Sequence, residues 1–158
     1  MAVLTPQFSA DRTVREYTEQ HYLPAATAYQ ARIAGKGAIG RQMVDWQHAL
    51  EQQWALLHFG EVKIETRGEQ HVVEVQVCFN ELDPQAVRVE LYADGVDEGE
   101  PLRQEMKRVR QLTGVSGGYT YSATVSATRP PTEYTARVIP YFEGVAIPLE
   151  DTRILWQR

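Results

Sequence analysis

The residues best suited to chemistry in this chain are its four histidines, its single cysteine and its three lysines. His21, His48, His58 and His71 stand alone in sequence. None has a second nitrogen or sulfur ligand at the short spacing that a zinc site uses. Cys78 has no neighbouring base to draw off its proton, so it reads as a plain thiol and not as a nucleophile. Lys36, Lys63 and Lys107 lie in no motif that suggests a Schiff base. Glycines 114, 117 and 118 in TGVSGGYT bring a phosphate loop to mind. They precede a β-branched run, however, and lack both the Lys-Ser/Thr pair and a following helix, so they predict a turn. The acidic stretch DGVDEGE, with Asp94, Asp97, Glu98 and Glu100, lacks the spacing of a calcium loop and its closing Glu, and reads as a solvated loop. The expectation is a chain with no catalytic residue and no metal site.

Charge narrows the partners. The 158 residues carry a formal net charge of −5 and a pI near 5.4. Nucleic acids and anionic membranes attract basic surfaces, so neither is expected as a partner. The start MAVLTPQFSADR has no basic region followed by an apolar core and does not read as a signal peptide. No apolar run reaches the roughly 18 residues of a membrane span. One cysteine forms no internal disulfide and suits a reducing compartment. The expectation is a soluble, cytoplasmic protein.

Two kinds of element must position whatever this chain does. Residues 1–57 have helical character. Ser9 is a suitable N-cap, with Asp11 in the first turn, where the helix dipole favours a negative charge. Val14, Tyr17 and His21 then fall on one face. Pro24 is expected to close this helix and to sit in the first turn of a second one. The GKG at 35–37 is expected to break the second helix. A third runs from about 38 to 57, with an apolar stripe of Ile39, Met43, Trp46, Leu50, Trp54 and Leu57. Trp54, last before the switch to strands, reads as the anchor between helix and sheet.

From residue 58 the hydrophobic period drops to two. VKIET places Val62, Ile64 and Thr66 on one side. In VVEVQVCFN, Val73, Val75, Val77 and Phe79 point one way, while Glu74, Gln76 and Cys78 point the other. Val87, Val89 and Leu91 alternate likewise. LRQEMKRVRQL is read as one strand, with Leu102, Gln104, Met106 and Arg108 on one side. YTYSATVSA, EYTARVIPYF, EGVAIPLED and TRILW complete seven or eight short strands. The fold class expected is α+β by segregation: about three N-terminal helices, then an antiparallel immunoglobulin-like β-sandwich over 58–158.

The helical segment also carries a resemblance. FSADRTVREYTEQHYLPAA resembles a segment near the C-terminal end of the catalytic region in bacterial α-glucan phosphorylases, the short glycogen phosphorylase-like branch. The matching residues are Arg12, Val14-Arg15-Glu16-Tyr17 and Tyr22-Leu23-Pro24-Ala25. A Trp-bearing helix, the β segment VELYADG and the terminal YTARVIPYFEG extend the likeness over nearly the whole chain. The resemblance implies that residues 1–57 are the terminal helices of a catalytic region and 58–158 an appended sandwich. Enzymes of that family bind pyridoxal phosphate on a lysine in a Glu-Ala-Ser-Gly-Thr-Ser-x-Met-Lys segment, which has no counterpart here. The cofactor is thus implied for a parent enzyme and none for this chain. The implied role is non-catalytic, supporting assembly or glucan handling. The implied partner is the catalytic region of the parent, met by the face of Val14, Tyr17 and Tyr22, which otherwise favours self-association. A free-standing module stays open as the alternative, binding either carbohydrate or protein. Its α-glucan would stack on Tyr119, Tyr121, Tyr134, Tyr141 or Trp156.

Overall fold

A computed structural model describes residues 10–96 and 99–158. Ser9, Asp97 and Glu98, singled out above, lie outside the described residues. Two compact units divide the chain, one up to Asp45 and the other from Trp46 to Arg158.

Helix α1 spans Ala10–Tyr17 and α2 spans Leu23–Gln53. Among the described residues two helices therefore stand where three are expected. The reason lies in the wide π turn of Thr18–Tyr22 that joins them. Pro24 has no N–H to give, and its ring crowds the carbonyl four residues earlier in a regular helix. Here Leu23 N–H donates to Thr18 O, a bond that reaches back five positions. The extra residue in the turn shifts the ladder just ahead of the proline, so the chain passes Pro24 without stopping. The glycines do not end α2 either, although Gly37 takes φ +73°, a left-handed value suited to glycine.

In the second unit the apolar stripe performs as its spacing predicts. Trp46, Leu50 and Leu57 are buried. Trp46 Nε1 donates to Ala86 O at 2.9 Å, and its ring lies 5.4 Å from Phe142. Trp54 is only half-buried, so Trp46 and not Trp54 is the anchoring tryptophan. A short 3-10 turn, Trp54–Leu56, ends the helical part.

Eight strands follow: β1 His58–Arg67, β2 Gln70–Cys78, β3 Val87–Ala93, β4 Leu102–Glu105, β5 Lys107–Gln111, β6 Gly118–Ser126, β7 Thr135–Pro140 and β8 Leu155–Trp156. They form two antiparallel four-stranded sheets, ordered β1-β2-β6-β5 and β4-β3-β7-β8. Val73, Val75, Val77 and Phe79 are buried as their alternation predicts, and so are Val87, Val89 and Leu91. Each such side chain contributes roughly 1.5–3 kcal/mol on burial. Tyr121, Ala123 and Val125 from β6 and Ala136 and Val138 from β7 complete the core.

Four local expectations fail, each for a physical reason. Cys78 is buried, although alternation along β2 leaves it on the side of Glu74 and Gln76; it ends the strand, paired with His58 and with Gly118, which has no side chain. LRQEMKRVRQL is two strands in different sheets. Met106 is the crossing point: its side chain is buried and its N–H donates to Val89 O at 2.9 Å. Gln104 and Arg108 are therefore exposed and do not share a buried face with it. Ile64 and Thr66 are exposed as well, since β1 is a sheet edge. EGVAIPLED makes no strand; it is a connection between β7 and the two-residue β8. The TGVSGG turn does form. Gly117 takes φ +68°, and a Cβ there would meet Asn80 O at 2.2 Å, so only glycine fits.

Candidate functional site

The outer face of the second sheet holds a cluster of paired charges and aromatic rings. Alternation and register build it. Arg88, Glu90 and Tyr92 share one side of β3, and Arg137, Ile139 and Tyr141 share one side of β7 and its extension. Register then sets Glu90 opposite both Glu105 and Arg137, and Arg137 opposite Trp156. Two glutamates face each other across β3 and β4, an arrangement that repels unless cations intervene. They do. Arg137 donates through Nε at 3.0 Å and Nη2 at 2.7 Å to Glu90 Oε2. Arg88 Nε lies 3.3 Å from Glu105 Oε2.

Rings hold these cations flat. The Arg137 guanidinium lies 4.6 Å from the centre of Tyr92 and 5.3 Å from that of Trp156. Arg88 lies 4.1 Å over Tyr141. Such stacking stabilises by about 0.5–2 kcal/mol, more as water is excluded. The Tyr92 hydroxyl donates to Asp94 Oδ1 at 3.0 Å, and that bond pushes its pKa above the usual phenol value. Beside Arg88, Glu90, Glu105 and Arg137 lies an open cavity of about 640 Å³, lined also by residues 145–148.

The aromatic candidates separate clearly. Tyr121 and Tyr134 are buried. Burial lifts the Tyr121 phenol to about 12, with Arg108 opposing the rise. Tyr134 donates its hydroxyl to Ser126 O at 2.8 Å. Tyr119 is half-buried beside Phe79 with Arg108 over its ring. Tyr141 and Trp156 remain, 40% and 36% exposed, both on the outer face just described. In the first unit, Val14, Tyr17 and Tyr22 are all more than half exposed, and the π turn brings the Tyr17 and Tyr22 rings edge to face at 5.4 Å.

Sequence reasoning missed three residues. Arg137 and Glu90 lie 47 positions apart, and only the pairing of β3 with β7 joins them. His71 is buried, with Nδ1 2.9 Å from Thr66 Oγ1 and Nε2 2.9 Å from Arg129 O. A carbonyl only accepts, so Nε2 carries a proton. Its isolation in sequence carried no signal of this role.

N-terminal helices followed in sequence by two antiparallel four-stranded sheets define a chain of α+β character with a β-rich C-terminal part. The profile of the glycogen phosphorylase C-terminal domain matches residues 54–157, and the chain belongs to that family. It is similar to a glycogen phosphorylase of Mycobacterium bovis, at 27% identity over 149 residues. A glycogen phosphorylase of Mycobacterium tuberculosis matches equally well, and a maltodextrin phosphorylase of Thermococcus litoralis is 27% identical over 146 residues. Each alignment covers 89% of this chain and 17% of the relative. The resemblance read from the sequence therefore stands. No helix among the described residues is long and apolar enough to cross a membrane.

Proposed function

We propose that this chain acts as the non-catalytic C-terminal part of a cytoplasmic α-glucan phosphorylase, docking through its N-terminal helices onto the catalytic region. The observation that carries this reading is the face of Val14, Tyr17 and Tyr22, which are 64%, 55% and 64% exposed. Aromatic surface of this kind marks interaction sites in soluble proteins. A chain that spans 17% of its relatives' length supplies the natural partner, the remainder of the same enzyme. In this reading residues 1–57 close the catalytic region and 58–158 are the appended domain. Without that partner the same face favours self-association.

The strand orders support an immunoglobulin-like arrangement for the appended domain. Four strands, first-second-sixth-fifth, stand in one sheet, and the remaining four in the other. Tyr134, at the start of β7, bonds back to Ser126 in the manner of the tyrosine corner common in such folds.

Pyridoxal phosphate does not fit this chain's described lysines. Lys63 is exposed on edge strand β1, 3.5 Å from Glu61, and Lys107 is exposed on edge strand β5. Neither points into an enclosed site where a Schiff base would be shielded. The test is release of glucose 1-phosphate from maltodextrin with phosphate and added pyridoxal phosphate. The chain alone is expected to match the blank; clear turnover overturns the proposal.

A further inference from the structure

Docking through the N-terminal helices leaves the outer face of the second sheet without a use. That face is not built like an ordinary solvated one. Glu90 and Arg137 are 8% and 9% exposed. Holding such a pair out of water carries a desolvation penalty, offset here by two hydrogen bonds and two ring faces. The result is a fixed polar floor beneath a groove of about 640 Å³, within the size range of small-ligand clefts. Arg88, Arg103, Glu105, Tyr141 and Val145–Pro148 line it.

This lining discriminates among ligand classes. An anion approaching any of the three guanidiniums meets Glu90 or Glu105 close by, and a cation meets the reverse. An apolar ligand would strip water from both charges without replacing it. A neutral polyhydroxy ligand satisfies the whole set. Its hydroxyls accept from guanidinium N–H groups and donate to carboxylates, and adjacent hydroxyls match the planar fork of an arginine. Its C–H faces pack on the aliphatic wall and on the exposed part of Tyr141, whose ring Arg88 overlies at 4.1 Å. Trp156 does not line the groove; its ring packs against Tyr92 and Arg137, so Tyr141 is the aromatic residue that the groove offers a sugar.

We infer that this groove is an oligosaccharide subsite, with Tyr141 as the stacking platform and Arg103, Arg88 and Glu105 as the hydroxyl partners. The choice of α-1,4-glucan as its occupant rests on the phosphorylase reading above.

The test titrates the intact chain, without phosphate or pyridoxal phosphate, and follows backbone amide resonances. Maltohexaose, cellohexaose and inorganic phosphate are the three probes. Maltohexaose is expected to saturate, with shifts clustered on β3, β4, β7 and residues 145–148. Tyr141→Ala and Arg103→Ala are both surface changes, so the fold should persist, as unchanged thermal melting will show. Each is expected to weaken binding about tenfold. Absence of saturation by millimolar maltohexaose overturns the subsite, as does binding that survives both substitutions. Equal binding of cellohexaose, or competition by phosphate, overturns the ligand assignment. None of these outcomes touches the docking proposal, which hydrogen exchange over residues 10–22 tests independently.

Discussion

The Tyr134 hydroxyl donates to Ser126 O at 2.8 Å, tying the last residue of β6 to the residue just before β7. The connection it spans holds Arg129, whose carbonyl bonds His71 and whose guanidinium bonds Asp94 O. One ring thus fixes the loop that carries the chain from one sheet to the other. Tyr134→Phe keeps the packing and removes only the bond, leaving a partly buried carbonyl short of a partner. The expected loss is about 1–2 kcal/mol in urea unfolding. An unchanged midpoint would mean that the loop is held by its other contacts alone.

Trp46 should matter more than Trp54. Trp46 is buried and hydrogen-bonded to Ala86, while Trp54 is only half-buried. Truncating a buried tryptophan costs about 3–5 kcal/mol, much of a domain's roughly 5–15 kcal/mol. Thermal melting of Trp46→Ala should therefore show a large drop, and that of Trp54→Ala a smaller one. The reverse order would move the anchor back to the end of the helix.

The Glu90–Arg137 pair should behave asymmetrically. Arg137→Ala strands a nearly buried carboxylate and is expected to destabilise by about 3–5 kcal/mol. Replacing both partners together, as Glu90→Leu with Arg137→Met, should recover much of that loss. A double-mutant cycle in urea measures the coupling directly. Additive losses would show that the pair acts as two independent surface charges.

Alkaline pH supplies another test through Tyr121. Burial raises its folded pKa to about 12 from an ordinary value near 10. The folded state therefore holds the phenol proton more tightly than the unfolded state. Its contribution to stability is complete below pH 10 and is lost as pH climbs from about 10 toward 12. Comparing the wild type with Tyr121→Phe isolates this phenol from the others. The difference in unfolding free energy should change across that window and stay flat below it.

Sequence periodicity exposed the sheets because a two-residue alternation leaves little choice of face. Val73, Val75 and Val77 could hardly point elsewhere. It failed where one residue has to serve two neighbours. Met106 satisfies the alternation of a single strand, yet it marks the switch between sheets, and nothing local distinguishes the two. Pro24 failed for a related reason. Its ring forbids a regular helix, but the adjacent π turn, which no residue type announces, removes the conflict. The outer face was half legible. Arg88, Glu90 and Tyr92 are visible as the polar side of VRVELYA, while their partners Arg137, Trp156 and Glu105 arrive only through pairing register. That left Tyr141 and Trp156 in one pool with three other aromatic residues, two of which are buried.

The central claim is that the helix bearing Val14, Tyr17 and Tyr22 is fitted to a partner outside this chain. Hydrogen exchange over residues 10–22 tests it most directly, run on the chain at low and at high concentration. Dilute protein should exchange quickly there while β2, β3, β6 and β7 stay protected. At high concentration, protection of residues 10–22 should rise if copies meet through this face, and stay low if the helix frays. Strong protection of residues 10–22 at every concentration, in a chain shown to be monomeric, would contradict the account, because the helix would then have its full set of partners within these 158 residues.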